Sequence, residues 1–238
     1  MPRNHFATTH WSLVQAAIAA GPSPESRDAL SALCEAYWYP LYGYLRSRGA
    51  SRENAQDMTQ AFFARVLEKN GLRSADPAKG RFRGFLLGAL KNFAANEYDK
   101  ASAKKRGGGV ALLAMEFDTA EGRFQLERTT SDTPEKSFDR RWALTLLGRV
   151  LLRIKNEMHA AGKDAQFGAL STYLAGERGR SYADTAAELM MSEAAVKVAV
   201  HRLRRRYRDL LREEISHTVS SVEEIDDELR YLWAAVSR

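Results

Sequence analysis

Apolar residues recur three and four positions apart along almost the whole of this 238-residue chain, and runs that alternate apolar with polar are short. That period belongs to helices packed by one face, so the pattern predicts an all-α protein. Pro22, Pro24, Pro77 and Pro134 sit among polar and small residues, where helices stop or start. A first block runs from Ala7 to about Lys105 and ends in AKKRGGG, whose Gly107–Gly109 would not hold a helix. The next stretch, VALLAMEFDTAEGRFQLERTTSDTP, shows no clear period and reads as a linker. A second periodic block begins at Glu135 and ends near Ser216. The last segment, SSVEEIDDELRYLWAAVSR, predicts a helix of its own. Ser221 and Glu224 match a capping box, and Val222, Ile225, Leu229, Leu232 and Val236 share one face. The expected organisation is two helical domains, 7–106 and 135–216, joined by a flexible linker over 107–134, with a helical extension at 217–238.

At 45% hydrophobic residues the chain can bury a core, and 36 Lys and Arg against 30 Asp and Glu leave a formal net charge of +6. An excess of that size suits a polyanionic partner without identifying one. Cys34 is the single cysteine, so neither an internal disulfide nor a cysteine-rich zinc site is expected. No stretch approaches the ~18 uninterrupted apolar residues of a membrane helix, and the start of the chain lacks a signal-peptide pattern. A cytoplasmic protein with no membrane partner is therefore expected. His5, His10, His159, His201 and His217 form no cluster, and GGGV matches no nucleotide-binding fingerprint. With no nucleophile–base pair and no metal-ligand spacing in view, the expectation is a non-enzyme without cofactor or metal.

Chemistry concentrates in RSYADTAAELMMSEAAVKVAVHRLRRRYRDLLREEI. Ser181 can cap a helix ending near Met190, and Ser192 can cap the next. Tyr182, Ala186 and Leu189 would face inward from the first, and Val196, Val200 and Leu203 from the second. A short helix, a tight turn and a second, basic helix describe a helix-turn-helix, whose second helix enters a DNA major groove. Lys197, His201, Arg202, Arg204, Arg205, Arg206 and Arg208 surround a thin apolar stripe and could neutralise phosphates. Ser192, Glu193 and Lys197, near the helix start, are the candidates for base edges. The plainer alternative is a solvated basic helix. Met190 stands where such turns usually have glycine, so either its left-handed conformation would be strained or the turn would be reshaped.

SYADTAAELMMSEAAVKVAVHRLRRRYRDLL resembles the promoter-recognition domain of extracytoplasmic-function (ECF) RNA polymerase sigma factors, which reads the −35 element. The first block resembles their N-terminal domain, and the resemblance covers most of the chain in the family's order. It implies an all-α protein that binds core RNA polymerase and directs it to double- and single-stranded promoter DNA. KGRFRGFLLGALKNFAANEYDKASAKKR resembles the segment that opens the −10 element. Arg81, Arg83 and Lys91 would supply charge there, Asn92 and Asn96 hydrogen bonds to bases, and Phe82 a stacking ring. Phe85, Leu86, Leu90 and Phe93 are assigned to the core by their spacing, as is the aromatic run Tyr37–Tyr44; Cys34 is expected to be buried.

The helix predicted over Ser51–Lys69, SRENAQDMTQAFFARVLEK, resembles the family's polymerase-binding helix, which usually opens with the acidic signature D-A-E-D. The aligned residues here are Asn54, Ala55, Gln56 and Asp57, followed by Met58, Thr59 and Gln60, so two carboxylates are replaced by amides. This departure resembles an ECF subgroup associated with Ser/Thr protein kinases. On that resemblance Thr59 is the candidate phosphate acceptor and a kinase a candidate partner. Helical geometry allows another role: at 100° per residue Thr59 falls between Phe63 and Val66, inside the apolar arc, where its hydroxyl would bond its own helix. Ser51 is read as the N-cap. The acidic C-terminal helix would either mask the basic recognition helix or pack elsewhere as a brace. A helix-turn-helix regulator that never engages polymerase accounts for the second block alone.

Overall fold

The computed structural model describes residues 24–67, 81–101, 116–127, 132–174, 181–219 and 221–237, the side chains of 24–34, 67 and 98–101 excepted. His5, His10, Pro22, Pro77, Lys105, the Gly107–Gly109 break and the side chain of Cys34 lie outside that set. All secondary structure among the described residues is helical, as the apolar period predicts. The helices are α1 (Pro24–Ser47), α2 (Arg52–Leu67), α3 (Phe82–Ala101), α4 (Phe117–Glu127), α5 (Pro134–Ala160), α6 (Asp164–Ser171), α7 (Tyr182–Leu189), α8 (Glu193–Ser216) and α9 (Ile225–Val236), the last preceded by a 3-10 turn at Val222–Glu224. Two compact units result, Met1–Thr145 with Ile215–Arg238, and Leu146–Glu214, so the division falls inside α5 and α8. The second unit therefore begins nearly halfway along α5 rather than at Glu135. The C-terminal extension belongs to the first unit.

In the first unit, Tyr37, Tyr39, Leu41, Tyr42, Tyr44 and Leu45 of α1 are buried, as their spacing predicts. The helix packs against α2 and α3, where Ala55, Phe62, Phe63 and Val66, and Leu86, Leu90 and Phe93, are buried in turn. Phe62 packs edge-on to Phe93 with ring centroids 5.8 Å apart, a geometry that aligns positive ring edges with negative ring faces. Gly43 is required by a close approach. A Cβ there would lie 2.7 Å from Cδ of Arg141. Without it, the nearly buried guanidinium reaches Ser47 Oγ at 3.1 Å and the Glu127 carboxylate at 2.9 Å.

The expected linker contains α4, a correction to the sequence reading. Phe117, Ala120 and Phe124 are spaced for one helical face and are buried. Phe117 packs against Trp38 and Tyr42 of α1, with ring centroids 5.4 and 5.5 Å away. A helix of this length is marginal alone, so docking stabilises it more than propensity does. Three apolar anchors around Gly122 are too few to show as a period in the sequence.

Glu121 anchors the same contact: it accepts hydrogen bonds from Arg46 Nη2 at 2.8 Å, Arg46 Nε at 3.0 Å and the Tyr42 hydroxyl at 2.5 Å. The Arg46 bonds hold its carboxyl down from the ordinary 4.5 to about 2. A depressed carboxyl stabilises the fold fully above the ordinary value and loses that contribution as pH falls toward about 2. Glu121→Gln should cost roughly 2 kcal/mol at neutral pH, the scale of a hydrogen bond to a charged group. The variant should also show a flatter stability profile across that acidic window, read by urea denaturation at several pH values.

The capping box expected at Ser221 and Glu224 does not form, because the Ser221 hydroxyl bonds the Glu223 carboxylate and the chain makes a 3-10 turn before α9. Val222 is 55% exposed; the buried face of α9 is Ile225, Glu228 and Leu232. In the second unit, Leu146, Val150 and Ile154 of α5 are buried, as are Ala169 and Leu170 of α6, Ala186 of α7, and Val196, Val200, Leu203 and Leu210 of α8. Gly162, at φ +68°, ends α5 in the left-handed conformation that glycine adopts without a Cβ clash.

Candidate nucleic-acid interface

The second unit holds a helix-turn-helix built by local signals. Ser181 Oγ accepts the Asp184 backbone N–H at 3.0 Å while the Asp184 carboxylate reaches back to Ser181, closing a capping box at the start of α7. At the other end Met190 takes φ 52° and ψ 43°. The Met191 N–H then bonds Ala186 O at 2.9 Å and the Met190 N–H bonds Ala187 O at 3.3 Å, the paired bonds of a Schellman ending. Ser192 Oγ accepts the Ala195 N–H at 3.2 Å and starts α8. Both caps and the left-handed methionine are as the sequence predicts. Met190 is 94% exposed, so its side chain adds no packing to offset the backbone strain. Met190→Gly should stabilise this unit by roughly 0.5–1 kcal/mol, the strain relieved minus the extra entropy of an unfolded glycine. Thermal denaturation checks it, with DNA affinity unchanged.

Tyr173 holds the motif together, a role the sequence did not reveal. Its ring stacks on Tyr182 at 5.1 Å with planes 4° apart. Its hydroxyl bonds Thr185 Oγ1 at 2.7 Å and donates to Ser181 O at 3.1 Å. Its backbone carbonyl accepts from Arg204 Nη2 at 2.9 Å. Arg204, expected on phosphate, is instead a strut that satisfies a carbonyl just beyond α6. Arg206 is likewise engaged, with Nη2 2.6 Å from Glu157.

The outward face of α8 remains basic. Ser192, Glu193, Ala194, Lys197, Val198, His201, Arg202, Arg205 and Arg208 are exposed, and positions 194, 197, 198, 201, 205 and 208 share one side of the helix. Among the described residues Arg202, Arg205 and Arg208 have no ion-pair partner, while Lys197 lies 3.9 Å from Glu193. Val198 is 49% exposed in the middle of this face, where an apolar group suits a thymine methyl. The sequence marked it only as a helix residue, since an isolated valine between cations shows no period.

In the first unit, α3 reverses the expected roles of two aromatics. Phe82 is 2% exposed and packs edge-on to Tyr37 at 5.5 Å, so it is core and no base reaches it in this arrangement. Phe85, expected in the core, is half-buried and shares a helical side with the exposed Asn92 and Asn96 and the small Gly88 and Ala89. Arg83 is 6% exposed and Arg81 is partly covered, both paired with carboxylates, so neither offers a free cation. Lys91 is exposed but 2.8 Å from Glu135, which raises its amine above the usual range. On the outward side of α3, Asn92 and Asn96 are exposed and Phe85 is half-buried beside them.

On α2, Ser51 accepts the Asn54 N–H at 3.2 Å, as an N-cap should. Asn54 and Asp57 are exposed, and Gln56 and Gln60 are half-buried. Thr59 does not join them. Its side chain is fully buried and its hydroxyl donates to Ala55 O at 2.6 Å. A kinase has no access to it while α2 is packed, which corrects its reading as a surface phosphate acceptor. No described helix is long and apolar enough to cross a membrane, and the described residues hold no cluster of potential metal ligands. Compared with models of protein families, with curated proteins and with solved structures, the chain finds no match.

Proposed function

We propose that this chain is a sigma factor of the extracytoplasmic-function type: it binds core RNA polymerase and brings it to particular promoters. The observation that carries the reading is the capped α7–turn–α8 motif with its unpaired Arg202, Arg205 and Arg208 on the outward side of the second helix. Duplex promoter DNA is the ligand of that side, with Ser192, Glu193, Lys197, Val198 and His201 toward base edges and the arginines on phosphates. The exposed edge of α3, with Phe85, Asn92 and Asn96, takes bases of the opened strand by stacking and hydrogen bonds. The polar surface of α2 at Asn54, Gln56, Asp57 and Gln60 docks on polymerase. The protein performs no catalysis of its own and works in the cytoplasm. A Ser/Thr kinase enters this scheme only through an opened α2.

The test is a titration of bacterial core RNA polymerase with the labelled chain in the absence of DNA, run beside Asn54→Asp/Gln56→Glu. Binding by either protein supports the reading. If neither binds while duplex DNA still does, the chain is a helix-turn-helix regulator that works without polymerase contact. Arg202→Ala/Arg205→Ala should weaken duplex binding evenly across sequences and lower the salt slope by about 0.9 per lost phosphate contact.

A further inference from the structure

Glu228 is the one acidic residue of α9 with no exposed surface, on a helix whose neighbours Asp226 and Asp227 face solvent. A carboxylate is buried at a large cost unless cations meet it. Its polar partners among the described residues are two guanidinium groups, Arg81 Nη1 at 2.6 Å and Arg83 Nη1 in direct contact. Arg83 also lies 3.3 Å from Asp139, and its guanidinium is held between two rings, Trp142 at 4.6 Å and Tyr231 at 4.1 Å. Tyr231 further covers Arg81 at 5.3 Å and donates to Asp139 at 2.5 Å. The Trp142 indole N–H is buried with no hydrogen-bond partner among the described residues.

Among the described residues, Glu228 and Tyr231 of α9, one helical turn apart, cover the two arginines. Asp139 and Trp142 of α5 flank Arg83 as well, and Tyr37 of α1 lies close to it. If α9 lifts, Arg83 keeps Trp142 as its ring partner, Arg81 stands beside it, and among the described residues Asp139 is the carboxylate left to oppose the two positive charges. An anion and an aromatic ring are the two groups then missing. A nucleotide supplies both, its phosphate in place of the Glu228 carboxylate and its base in place of the Tyr231 ring, since bases stack on guanidinium planes as they do on aromatics. α9 is also short enough to be marginal as an isolated helix, and Ile225 and Leu232 are its buried apolar anchors.

We propose that Arg81, Arg83 and Trp142 form a latent binding site for a single-stranded nucleic-acid segment, and that α9 occupies it in the free protein. The proposal rests on the reading of α3 as the strand-facing helix. It turns the C-terminal extension into a competitor for single-stranded DNA, acting on the first unit and leaving the recognition helix alone.

The test is fluorescence anisotropy with a labelled mixed-sequence single-stranded oligodeoxynucleotide and the full-length chain. Glu228→Gln/Tyr231→Ala should bind on the order of tenfold more tightly than the parent. The salt slope should steepen by about 1.4, the value for two additional phosphates on a single strand. Adding Arg81→Ala/Arg83→Ala should remove the whole gain. The proposal is overturned if the folded variant gains nothing, if the gain survives loss of the arginines, or if a duplex of the same length gains equally. Should the variant not fold, hydrogen exchange on the parent decides. α9 amides should lose protection as the oligonucleotide saturates, and unchanged protection at the highest concentration refutes displacement. Core polymerase binding is scored separately, so a chain that binds polymerase without the strand gain loses only this inference. A chain that shows the gain without polymerase binding loses only the sigma-factor reading.

Discussion

Thr59→Asp is expected to disrupt the first unit, lowering its stability by roughly 3–5 kcal/mol, the cost of a buried charge left without a partner. The position is enclosed. Ala55, one turn before it, has no exposed surface, and Phe62, Phe63 and Val66 continue the same buried stripe. The native hydroxyl is satisfied by Ala55 O, and an aspartate would place a carboxylate against that carbonyl instead. A domain of this size has about ten kcal/mol to lose, so a large fraction would unfold on mild heating. Thr59→Val keeps the shape and gives up one hydrogen bond, so it should cost only about 1 kcal/mol. Circular dichroism melts of the two variants beside the parent check both values. An aspartate variant that melts with the parent would mean that the site is open to water.

That result bears on control by phosphorylation. A carboxylate at this position would report on unfolding, so loss of polymerase binding by Thr59→Asp would say nothing about a phosphate. Kinetics are the better probe. If a kinase acts here, it should modify a peptide spanning 51–69 much faster than the folded chain, because the folded chain must first release α2.

How much of this was visible in the sequence depended on whether the signal was local. The α7–turn–α8 motif was legible down to its caps because Ser181, Met190 and Ser192 act within five residues of themselves, and Val196, Val200 and Leu203 keep a clean period. The burial of Thr59 was legible by helical angle alone. The exchange of Phe82 and Phe85 was not, since α3 has apolar residues on nearly every side (Phe82, Phe85, Leu86, Leu87, Leu90 and Phe93), and the side that meets the core is chosen by Tyr37 of another helix. α4 was hidden because docking onto Trp38 and Tyr42 stabilises it, and no one-dimensional period records docking. The Glu228 cluster joins residues far apart in the chain and buries charges, against the prior that arginine and glutamate stay outside. Pairing makes that exception possible, and the partner of a charge cannot be read from its own neighbourhood.

Asn54→Asp/Gln56→Glu is expected to raise affinity for core RNA polymerase by ten- to a hundredfold, or about 1.4–2.7 kcal/mol. The expectation follows from the proposed function, in which this surface meets basic residues of polymerase. Each restored carboxylate could convert a neutral hydrogen bond into a charge-assisted one, worth roughly 1.5–3 kcal/mol where water is excluded and less at an exposed rim. The exposure of Asn54 and half-burial of Gln56 place the sum below that of two such bonds formed away from water. Stability should not fall. Asn54 is the third residue of α2, where a carboxylate faces the positive end of the helix dipole and contributes about 0.3–1 kcal/mol. An affinity gain with an unchanged or higher melting temperature would therefore isolate the interface. The gain should shrink as salt is raised, because screening weakens new charge pairs at a rim before it touches apolar contact. Equal affinity of the two proteins at low salt would show that α2 docks without its first-turn acids. The amides would then be part of a surface that polymerase does not read by charge, and contacts elsewhere on the first unit would have to hold the complex.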